Sequence, residues 1–380
     1  MKKDKIIFAG YYGAKNTGDD MFGVIASWGA VHYWNNSNIA LLSHIGSSSD
    51  SISINFALSK TKYFRGYHTL QSFYKIFKTK YIVLAGGSIL HSRHKRISPR
   101  SFMFYLSKLK IIKIGAIGVS LGPFSSEKEY KYINDVLKEF KFLVVRDRTS
   151  YEIALRMNLP YKPVLGADLA FLLPQIMKNI EFKKSPKTTK KLLGISLCHY
   201  ERYASKSLEN EQRRENKIFK VLNKLKNNQD IKFRFFIINN NTGSGDEKLT
   251  NYMIKSLQLT QNRYEIISYN TDTLQTVNYI GECDAMFSVR LHGAIFAASQ
   301  NIPSLLVEYH NKCTDYLDDI GVSKEWRIGD MESIVEEVVS KIHLLLNMKS
   351  NNFYVKRNNL LLAVKKNFLD KRVLEEIIEI

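Results

Sequence analysis

An arginine and a histidine lie between two apolar runs in the stretch "DAMFSVRLHGAIFAASQNIPSLLVEYHNK", residues 284–312. The apolar residues before Arg290 predict a buried strand, and those from Gly293 onward predict a helix. Burying a charge or an imidazole at such a corner costs free energy unless a partner compensates it. In an extended corner, Arg290 and His292 can point to one side, where the guanidinium binds an anion and the imidazole transfers a proton. The alternative is that His292 is a hydrogen-bonded core histidine.

The segment "VEYHNK" follows the next predicted strand along the chain. Consecutive parallel strands are usually neighbours, so Glu308 and Lys312 are expected beside His292. This clustering favours a site over a core histidine. We therefore predict that Arg290 and His292 face an anionic substrate.

Five loops in the first half of the chain also follow predicted strands, and each carries glycine or charge. Ligands bind beyond the carboxyl ends of strands in open parallel sheets, and glycines let the backbone approach a ligand. The alternatives are a helix cap for Asp19 or Asp20, a helix cap for Asp168, an Arg146–Asp147 pair, and tight packing at the glycines. The candidate binding residues in these loops are Asn16, Gly18, Asp19, Gly86, Gly87, Ser88, Ser120, Arg146 and Asp168.

The run "HSRHKRISPR", residues 91–100, concentrates positive charge directly after the second of these loops. It is either a solvated surface or a clamp for a phosphate or diphosphate group. The glycine spacing of the first loop is not GxGxxG, so a dinucleotide site is not favoured.

Apolar strands alternate with helical patterns along the chain, which predicts parallel sheets covered by helices on both faces. The predicted strands are Lys5–Ala9, Ile39–Ser43, Tyr81–Ala85, Ile111–Ile117, Phe142–Val145, Leu192–Leu197, Lys232–Ile238, Tyr264–Ile267, Ala285–Val289 and Ser304–Val307. The predicted helices are Asp19–Tyr33, Ser101–Leu109, Ser126–Phe140, Thr149–Asn158, Glu209–Lys226, Asp246–Gln258, Thr273–Ile280, His292–Gln300 and Cys313–Ile320, with further helical patterns towards the C-terminus.

A lysine-rich stretch with a proline, residues 178–191, interrupts the alternation and predicts a linker. The fold class that follows is α/β, with two Rossmann-like doubly wound domains facing a cleft. We expect an N-terminal domain at 1–177 and a C-terminal domain at 192–345. A C-terminal helical segment at 346–380 is expected to pack back on the N-terminal domain.

The 380 residues carry 56 lysines and arginines against 36 aspartates and glutamates, a formal net charge of +20. This excess favours an anionic partner, such as a phosphorylated substrate or an anionic membrane surface, although a lysine-rich composition alone would also produce it. No nucleic-acid-binding motif is present. No window is apolar enough to span a bilayer, and the apolar run after the basic start is too short for a secretory signal, so we expect a cytoplasmic protein.

Three cysteines, Cys198, Cys283 and Cys313, lack the spacing of a disulfide framework or a zinc site. We expect reduced, mostly buried thiols and no metal.

Seven motifs recur in the order found in one known family, and the chain resembles the polysaccharide pyruvyl transferases. The corner "SVRLHGAIFAASQNIP" is the most specific of them, and together they extend from residue 10 to residue 321. The other motifs are "GYYGAKNTGDD", "LAGGSIL", "GVSLGPF", "VVRDRTSYEIAL", "GADLAFLL" and "VEYHNKCTDYLDDIG".

The resemblance implies a fold like the glycosyltransferase B type, with an N-terminal acceptor domain and a C-terminal donor domain. Family members transfer the enolpyruvyl group of phosphoenolpyruvate to two hydroxyls of a sugar, forming a pyruvate ketal and releasing phosphate. The acceptors are cell-surface glycans or their lipid-linked precursors, and no metal or organic cofactor is required.

The resemblance also implies roles for particular residues. Arg290, Lys312 or Arg202 would hold the carboxylate and phosphate of phosphoenolpyruvate, and His292 would be the general acid or base. Asp19 or Asp168 would position the sugar hydroxyls.

Two departures from the family pattern bear on these roles. Many members carry an arginine after the strand that corresponds to "LLGISL", where this chain has Cys198 and His199. Many also carry an acidic residue after the GGS turn, where this chain has His91 and Ser92. The donor or the acceptor could therefore differ.

Two other functions fit the same sequence. One is a glycosyltransferase of the B-type fold that uses a nucleotide sugar. The other is a non-catalytic scaffold that binds membrane or a polymeric anion at the inner membrane face, for which the basic run 91–100 would matter and His292 would not.

Overall fold

Two separate parallel sheets organise the computed structural model, which describes residues 6–43, 52, 54–92, 97–186, 188–203, 207–330, 333–348 and 353–378. The described residues divide into two compact units. The first unit takes those within 6–14, 19–178 and 358–378, and the second takes those within 15–18 and 179–357.

The sheet of the first unit is parallel throughout, in the order β2-β1-β3-β4-β5-β6 among the described residues. Its central strands are buried on both faces, as the unbroken apolar runs predict. The strands are β1 (Ile6–Ala9), β2 (Ile39–Leu41), β3 (Tyr81–Ala85), β4 (Lys113–Val119), β5 (Leu143–Val145) and β6 (Val164–Leu165).

Helices connect these strands, and side-chain caps fix where several of them begin. Ser126 and Asp147 each accept a hydrogen bond from the amide three residues later. The helices are α1 (Thr17–Trp34), α2 (Tyr67–Lys78), α3 (Pro99–Lys108), α4 (Glu127–Leu137), α5 (Arg148–Arg156) and α6 (Leu173–Met177).

The second unit repeats the design with the strand order β12-β11-β10-β7-β8-β9, again parallel throughout the described residues. Its strands are β7 (Lys191–Ser196), β8 (Ile231–Phe236), β9 (Tyr264–Ile267), β10 (Ala285–Ser288), β11 (Ser304–Glu308) and β12 (Ile328–Gly329). Its helices are α7 (Leu208–Leu225), α8 (Glu247–Leu257), α9 (Thr273–Gly281), α10 (Leu291–Ser299), α11 (Asn311–Ile320) and α12 (Val335–Leu346).

The strand order of each sheet reverses at one point. In the first unit the reversal lies between β1 and β3, and in the second it lies between β7 and β10. Loops that leave adjacent strands in opposite directions open a crevice at such a point, where ligands of doubly wound folds bind. The glycine-marked loops after β1 and β3 and the Arg290–His292 corner after β10 all lie at these positions.

The C-terminal helices α13 (Arg357–Ala363), α14 (Lys366–Leu369) and α15 (Lys371–Ile378) end the described chain, and residues 358–378 belong to the first unit. The amide of Asn367 donates to the carbonyl of Ala167 at 3.0 Å, and Trp34 Nε1 donates to the carbonyl of Phe368 at 2.9 Å. The lysine-rich stretch before β7 lies on the second unit, where Arg234 donates to Ser185 at 2.6 Å.

The predicted fold class of two Rossmann-like, doubly wound domains is confirmed. The prediction omitted α2, whose apolar residues recur three and four apart but lie largely on the exposed side of the helix. It also omitted β6 and β12, which have two residues each and no alternation to detect. Among the described residues, no helix combines the length and the apolar character that crossing a bilayer requires.

Candidate functional site

Three predicted residues of the first unit surround the guanidinium of a fourth, Arg146, at the carboxyl edge of the sheet. Arg146 donates from Nε to the hydroxyl of Ser120 at 2.7 Å and from Nη1 to the carboxylate of Asp168 at 2.7 Å. Its Nη2 lies 3.4 Å from the hydroxyl of Ser88. These residues follow β3, β4, β5 and β6, so neighbouring strands bring together side chains that are far apart in sequence.

The neighbours of Arg146 are themselves held in place. The hydroxyl of Ser120 donates to Asp147 at 2.6 Å, and Asp147 also caps α5. Asp168 accepts from the amide of Ala170 at 2.9 Å. The capping role that the sequence allowed for Asp168 is therefore present, and its second oxygen binds the guanidinium. The Arg146 side chain retains 9% exposure, and its orientation is fixed before any ligand binds.

Gly86 and Gly87 form the turn after β3, and both have positive φ angles of 72° and 79°. A side chain at Gly86 would overlap the ring of Phe22, so the backbone and helix α1 approach closely there. A methyl group at Gly87 would lie 3.4 Å from Oδ1 of Asp19. The half-buried Asp19 carboxylate therefore lies beside the glycine turn.

The two aspartates at the start of α1 have different roles. Asp20 is buried and accepts from the amide of Gly13 at 2.6 Å, which fixes the loop after β1. Asp20 therefore holds the loop that precedes α1, a role different from the helix cap that the sequence allowed for one of the pair, and Asp19 stays a predicted catalytic residue.

Residues 15–18 join the second unit through the loop that follows β8. The amide of Thr17 donates to the carbonyl of Ile238 at 2.8 Å, and the amide of Asn240 donates to the carbonyl of Lys15 at 2.8 Å. Asn16 accepts from the amide of Gly18 at 3.1 Å, which shapes the turn that starts α1.

His292 lies in the first turn of α10 and packs against Gly18. A methyl group added at Gly18 would come within 2.3 Å of Nδ1 of the imidazole. The other face of the ring lies near Phe296, with the ring centroids 6.0 Å apart. The imidazole is half-buried. The predicted catalytic histidine therefore lies beside the start of a second helix, α1, as well as at the start of its own.

Arg290 binds a carboxylate inside the second unit. Its Nε lies 2.9 Å and 3.0 Å from the two oxygens of Asp246, and its Nη2 donates to Oδ1 at 2.6 Å and to the carbonyl of Ser244 at 3.2 Å. Asp246 is fully buried and also accepts from the amide of Asn239 at 2.9 Å. Burial alone would lower the pKa of Arg290, but the Asp246 carboxylate overcomes this and raises it. The pair holds the loop 239–246, while anion binding by Arg290 stays a prediction.

The loop after β7 is fixed by a second set of ion pairs. Arg202 binds Glu211, which also accepts from the amide of Tyr200 at 2.7 Å, and His199 Nδ1 lies 2.6 Å from Glu215. These contacts engage Arg202 within the protein, so its predicted role with phosphoenolpyruvate is untested. The side chains of His199, Glu211 and Glu215 each place a potential ligand atom within 4.8 Å of the others, so this group could hold a metal ion. Arg202 already neutralises part of the negative charge of the two glutamates.

Cys198 replaces the family's arginine at a position that already has two arginines nearby. Burial raises the pKa of its thiol to about 11, against the opposing effect of Arg290 and Arg214. Arg214 is itself buried, binds Glu201 and donates to Asp330 at 2.8 Å.

Glu308 and Lys312 follow β11, which pairs with β10 as predicted. Glu308 accepts from Arg327 at 3.0 Å, so this carboxylate has a partner in the second unit. The backbone amide of Lys312 donates to Nδ1 of His310 at 3.0 Å, and this bond caps the start of α11. His310 therefore has the structural role of a helix cap.

Within the basic run 91–100, the structure describes residues 91–92 and 97–100. Arg100 lies over the ring of Tyr11 at 4.7 Å and donates to its hydroxyl at 3.2 Å. The predicted phosphate-clamp residues 93–96 lie outside the described residues.

Sequence reasoning missed the carboxylates Glu201, Glu211 and Asp246, which pair with the arginines of the second unit. Asp246 lies 44 residues from Arg290, whereas Glu201 and Glu211 lie 13 and 9 residues from Arg214 and Arg202. Acidic residues at helix starts are common, so none of the three was singled out. The only signal was that burying several arginines requires an equal supply of acids.

The family model for polysaccharide pyruvyl transferases matches residues 35–311. An amylovoran biosynthesis protein, AmsJ of Erwinia amylovora, is 21% identical over 280 residues, which cover 70% of this chain and 65% of that protein.

Solved structures of two further proteins resemble the whole chain. The UDP-GlcNAc 2-epimerase of Methanocaldococcus jannaschii has a TM-score of 0.60 at 14% identity and covers 98% of this chain and 99% of its own. A structure of S. aureus MnaA with UDP has a TM-score of 0.59 at 13% identity and covers 100% of this chain and 95% of its own. At these identities the likeness establishes the glycosyltransferase B-like fold alone.

Proposed function

Because this chain belongs to the polysaccharide pyruvyl transferase family, we propose that it transfers the enolpyruvyl group of phosphoenolpyruvate to two hydroxyls of a glycan. The product is a cyclic pyruvate ketal, and phosphate is released. The acceptor is a cell-surface polysaccharide or its lipid-linked precursor. The observation that carries the proposal is the imidazole of His292 beside Gly18, at the starts of α10 and α1.

Helix N-termini favour anions because their free amides and dipoles point outward. Phosphoenolpyruvate carries both a carboxylate and a phosphate. The amides of Thr17 and Gly18 already donate within the protein, so the dipoles of the two helix starts beside His292, rather than free amides of α1, suit this anion. Lys312 lies in the first turn of α11, after the strand next to β10, and we assign it to the same anion. Arg290 contributes indirectly, since its pair with Asp246 fixes the loop that supports residues 15–18 through Asn239 and Asn240.

The reaction requires proton transfer at carbon and at oxygen. Protonation of the methylene carbon makes C2 electrophilic, and a sugar hydroxyl adds to C2 and loses its proton. Phosphate then leaves with the C–O electron pair, and a second hydroxyl adds to C2 and loses its proton to close the ketal. An imidazole can serve as the acid in the first step or as the base in the second, because its ordinary pKa is near neutrality.

The polar network of the first unit supplies groups suited to sugar hydroxyls. Asp19 and Asp168 offer carboxylate oxygens, and Arg146 and Ser88 offer donors. We assign these residues to the acceptor, with Gly86 and Gly87 allowing its close approach to the backbone.

Phosphate release from phosphoenolpyruvate, measured with candidate glycans, tests the proposal. Mass spectrometry of the glycan should show one added pyruvate with loss of water. His292→Ala should abolish both signals, whereas His343→Ala, a histidine on α12, should retain them. Full activity of His292→Ala would overturn the assignment of His292, whereas the absence of both signals from the wild type with every glycan would favour the non-catalytic scaffold.

Stabilisation of the folded protein by added ligand distinguishes the proposed function from the nucleotide-sugar alternative. The S. aureus MnaA structure contains UDP and the M. jannaschii protein is a UDP-GlcNAc 2-epimerase, so UDP is the competing ligand to test. A ligand at 100 times its Kd stabilises the folded state by about 2.7 kcal/mol. We expect phosphoenolpyruvate to raise the melting temperature. A rise with UDP alone would replace the proposed donor by a nucleotide sugar.

A further inference from the structure

An apolar stripe lies on the outer face of α2 in the first unit. Tyr67, Leu70, Tyr74 and Phe77 are spaced three and four residues apart, which places them on one side of the helix. Leu70, Tyr74 and Phe77 are each more than half exposed, at 57%, 53% and 53%. The opposite side of α2 packs inward through Ile76, so the stripe is not needed for folding the helix onto its unit.

The stripe continues into the chain that precedes α2. Tyr63 is 71% exposed and Phe64 is 52% exposed, and both rings contact Tyr67 at 4.9 Å and 5.3 Å between centroids. A contiguous set of exposed aromatic and aliphatic side chains on a soluble domain marks an interaction surface.

Basic residues surround the stripe, and acidic ones are absent from this part of the sequence. Residues 60–80 contain Lys60, Lys62, Arg65, Lys75, Lys78 and Lys80 but no aspartate or glutamate. The first acidic residue after Asp50 is Glu127, so the surrounding sequence also lacks compensating charge.

We propose that α2 and the segment before it, residues 62–80, form a docking surface for an anionic membrane. A helix with exposed aromatic residues flanked by lysines lies in the interface of a bilayer, with its apolar side chains among the acyl chains and its cations at the headgroups. A soluble acidic polymer would use the lysines but leave the apolar stripe in water. The charge and the stripe together therefore favour a lipid surface, and the inference does not depend on the proposed reaction.

Co-sedimentation of the full chain with phosphatidylcholine vesicles, with and without phosphatidylglycerol, tests the surface. We expect binding only when phosphatidylglycerol is present. Substituting Leu70→Ser, Tyr74→Ser and Phe77→Ser together should weaken binding about tenfold or more. The matched control substitutes Leu208→Ser, Tyr252→Ser and Leu344→Ser, equally exposed residues of the second unit, and should bind as the wild type does.

A second pair of variants, one test and one control, examines whether binding requires the lysines. Lys62→Gln, Lys78→Gln and Lys80→Gln together should weaken vesicle binding, whereas Lys248→Gln, Lys255→Gln and Lys324→Gln, also exposed but in the second unit, should change it by less than about twofold. Binding that depends on the lysines but not on the stripe would overturn the membrane assignment in favour of a polymeric anion.

A fluorescent dye on a single substituted cysteine tests membrane insertion without the multiple substitutions, which could impair folding. The native cysteines are buried, so Tyr74→Cys can carry an environment-sensitive dye, with Tyr252→Cys as control. Anionic vesicles should shift the emission of the Tyr74→Cys conjugate to the blue and leave the control unchanged. No shift at either position would refute insertion of the stripe and point to a protein partner.

Discussion

Each unit carries one arginine at the end of a strand, but the two arginines have different surroundings. Arg146 in the first unit lies among two hydroxyls and the carboxylate of Asp168, and the Arg146 and Asp168 side chains are each less than one-tenth exposed. Arg290 in the second unit is bound through two nitrogens to Asp246, whose carboxylate is fully buried. An arginine after a strand is therefore not by itself a ligand-binding group. The two arginines differ in how the guanidinium is shared, because Arg290 binds one carboxylate through two nitrogens whereas Arg146 divides its nitrogens among Ser88, Ser120 and Asp168.

The largest effect on stability is expected for Arg290→Ala. It leaves the Asp246 carboxylate buried without its cation, and removing one partner of a buried pair costs about 3–5 kcal/mol. We expect a loss of that size in the free energy of unfolding of the second unit, measured by urea denaturation. The double variant with Asp246→Asn should recover part of the loss, because no buried charge then remains uncompensated.

An exposed pair in the same unit is the control for Arg290→Ala. Lys191 lies 3.5 Å from Asp284, and both side chains are more than one-third exposed. Lys191→Ala should change the stability by less than about 1 kcal/mol. Equal effects of the two variants would show that the Arg290–Asp246 pair is not a clamp.

The next largest effect is expected at Gly18, where the chain approaches His292. Gly18→Ala would bring its methyl group within 2.3 Å of the imidazole and should destabilise the protein by about 1–3 kcal/mol, with loss of activity. In a His292→Ala background the same change should be nearly neutral for stability, because the clash is gone. Gly243→Ala, whose nearest neighbour would be 3.5 Å away, is the control. A stability cost that persists without the imidazole would contradict the close contact.

A smaller effect, on catalysis rather than stability, is expected at Arg146. Arg146→Lys keeps the charge but loses the planar fork that contacts Ser120 and Asp168 together. We expect kcat/KM for the glycan to fall about tenfold, or about 1.4 kcal/mol, with little change in melting temperature. Arg148→Lys, on the exposed start of α5, should behave as the wild type. A large loss of stability with normal kcat/KM would instead make Arg146 a structural clamp like Arg290.

The same contrast explains how much could be predicted from the sequence. The loops that carry Ser88, Ser120 and Arg146 follow apolar runs directly, and neighbouring parallel strands must bring such loops to one edge. The grouping in the first unit was therefore predictable, although the partners of each nitrogen were not.

The pairing of Arg290 was not predictable in the same way. Asp246 lies 44 residues earlier, at the start of α8, where an aspartate has an ordinary role as a helix cap. Only the three-dimensional placement of the loop after β8 shows that it reaches Arg290. Sequence patterns locate strand ends well, but they do not reveal which distant carboxylate neutralises a buried cation.

The three cysteines allow the two units to be compared separately, because all three lie in the second unit and none in the first. They are free and buried, as the sequence predicted, and burial raises the pKa of Cys198 to about 11 and of Cys283 and Cys313 to about 12. The reactive thiolate is therefore scarce at pH 8, and iodoacetamide should label none of them in the folded wild type and all three in guanidinium chloride.

Thiol labelling consequently reports the opening of the second unit alone. Arg290→Ala should accelerate labelling of all three cysteines in the absence of denaturant, since the clamp that holds the loop 239–246 is lost. Arg146→Lys should leave the labelling rate unchanged, because its network belongs to the cysteine-free unit. Mass spectrometry of the labelled protein distinguishes the two outcomes. Rapid labelling in both variants would mean that the units do not unfold separately, and the contrast between a structural and a ligand-facing arginine would then have to rest on activity alone.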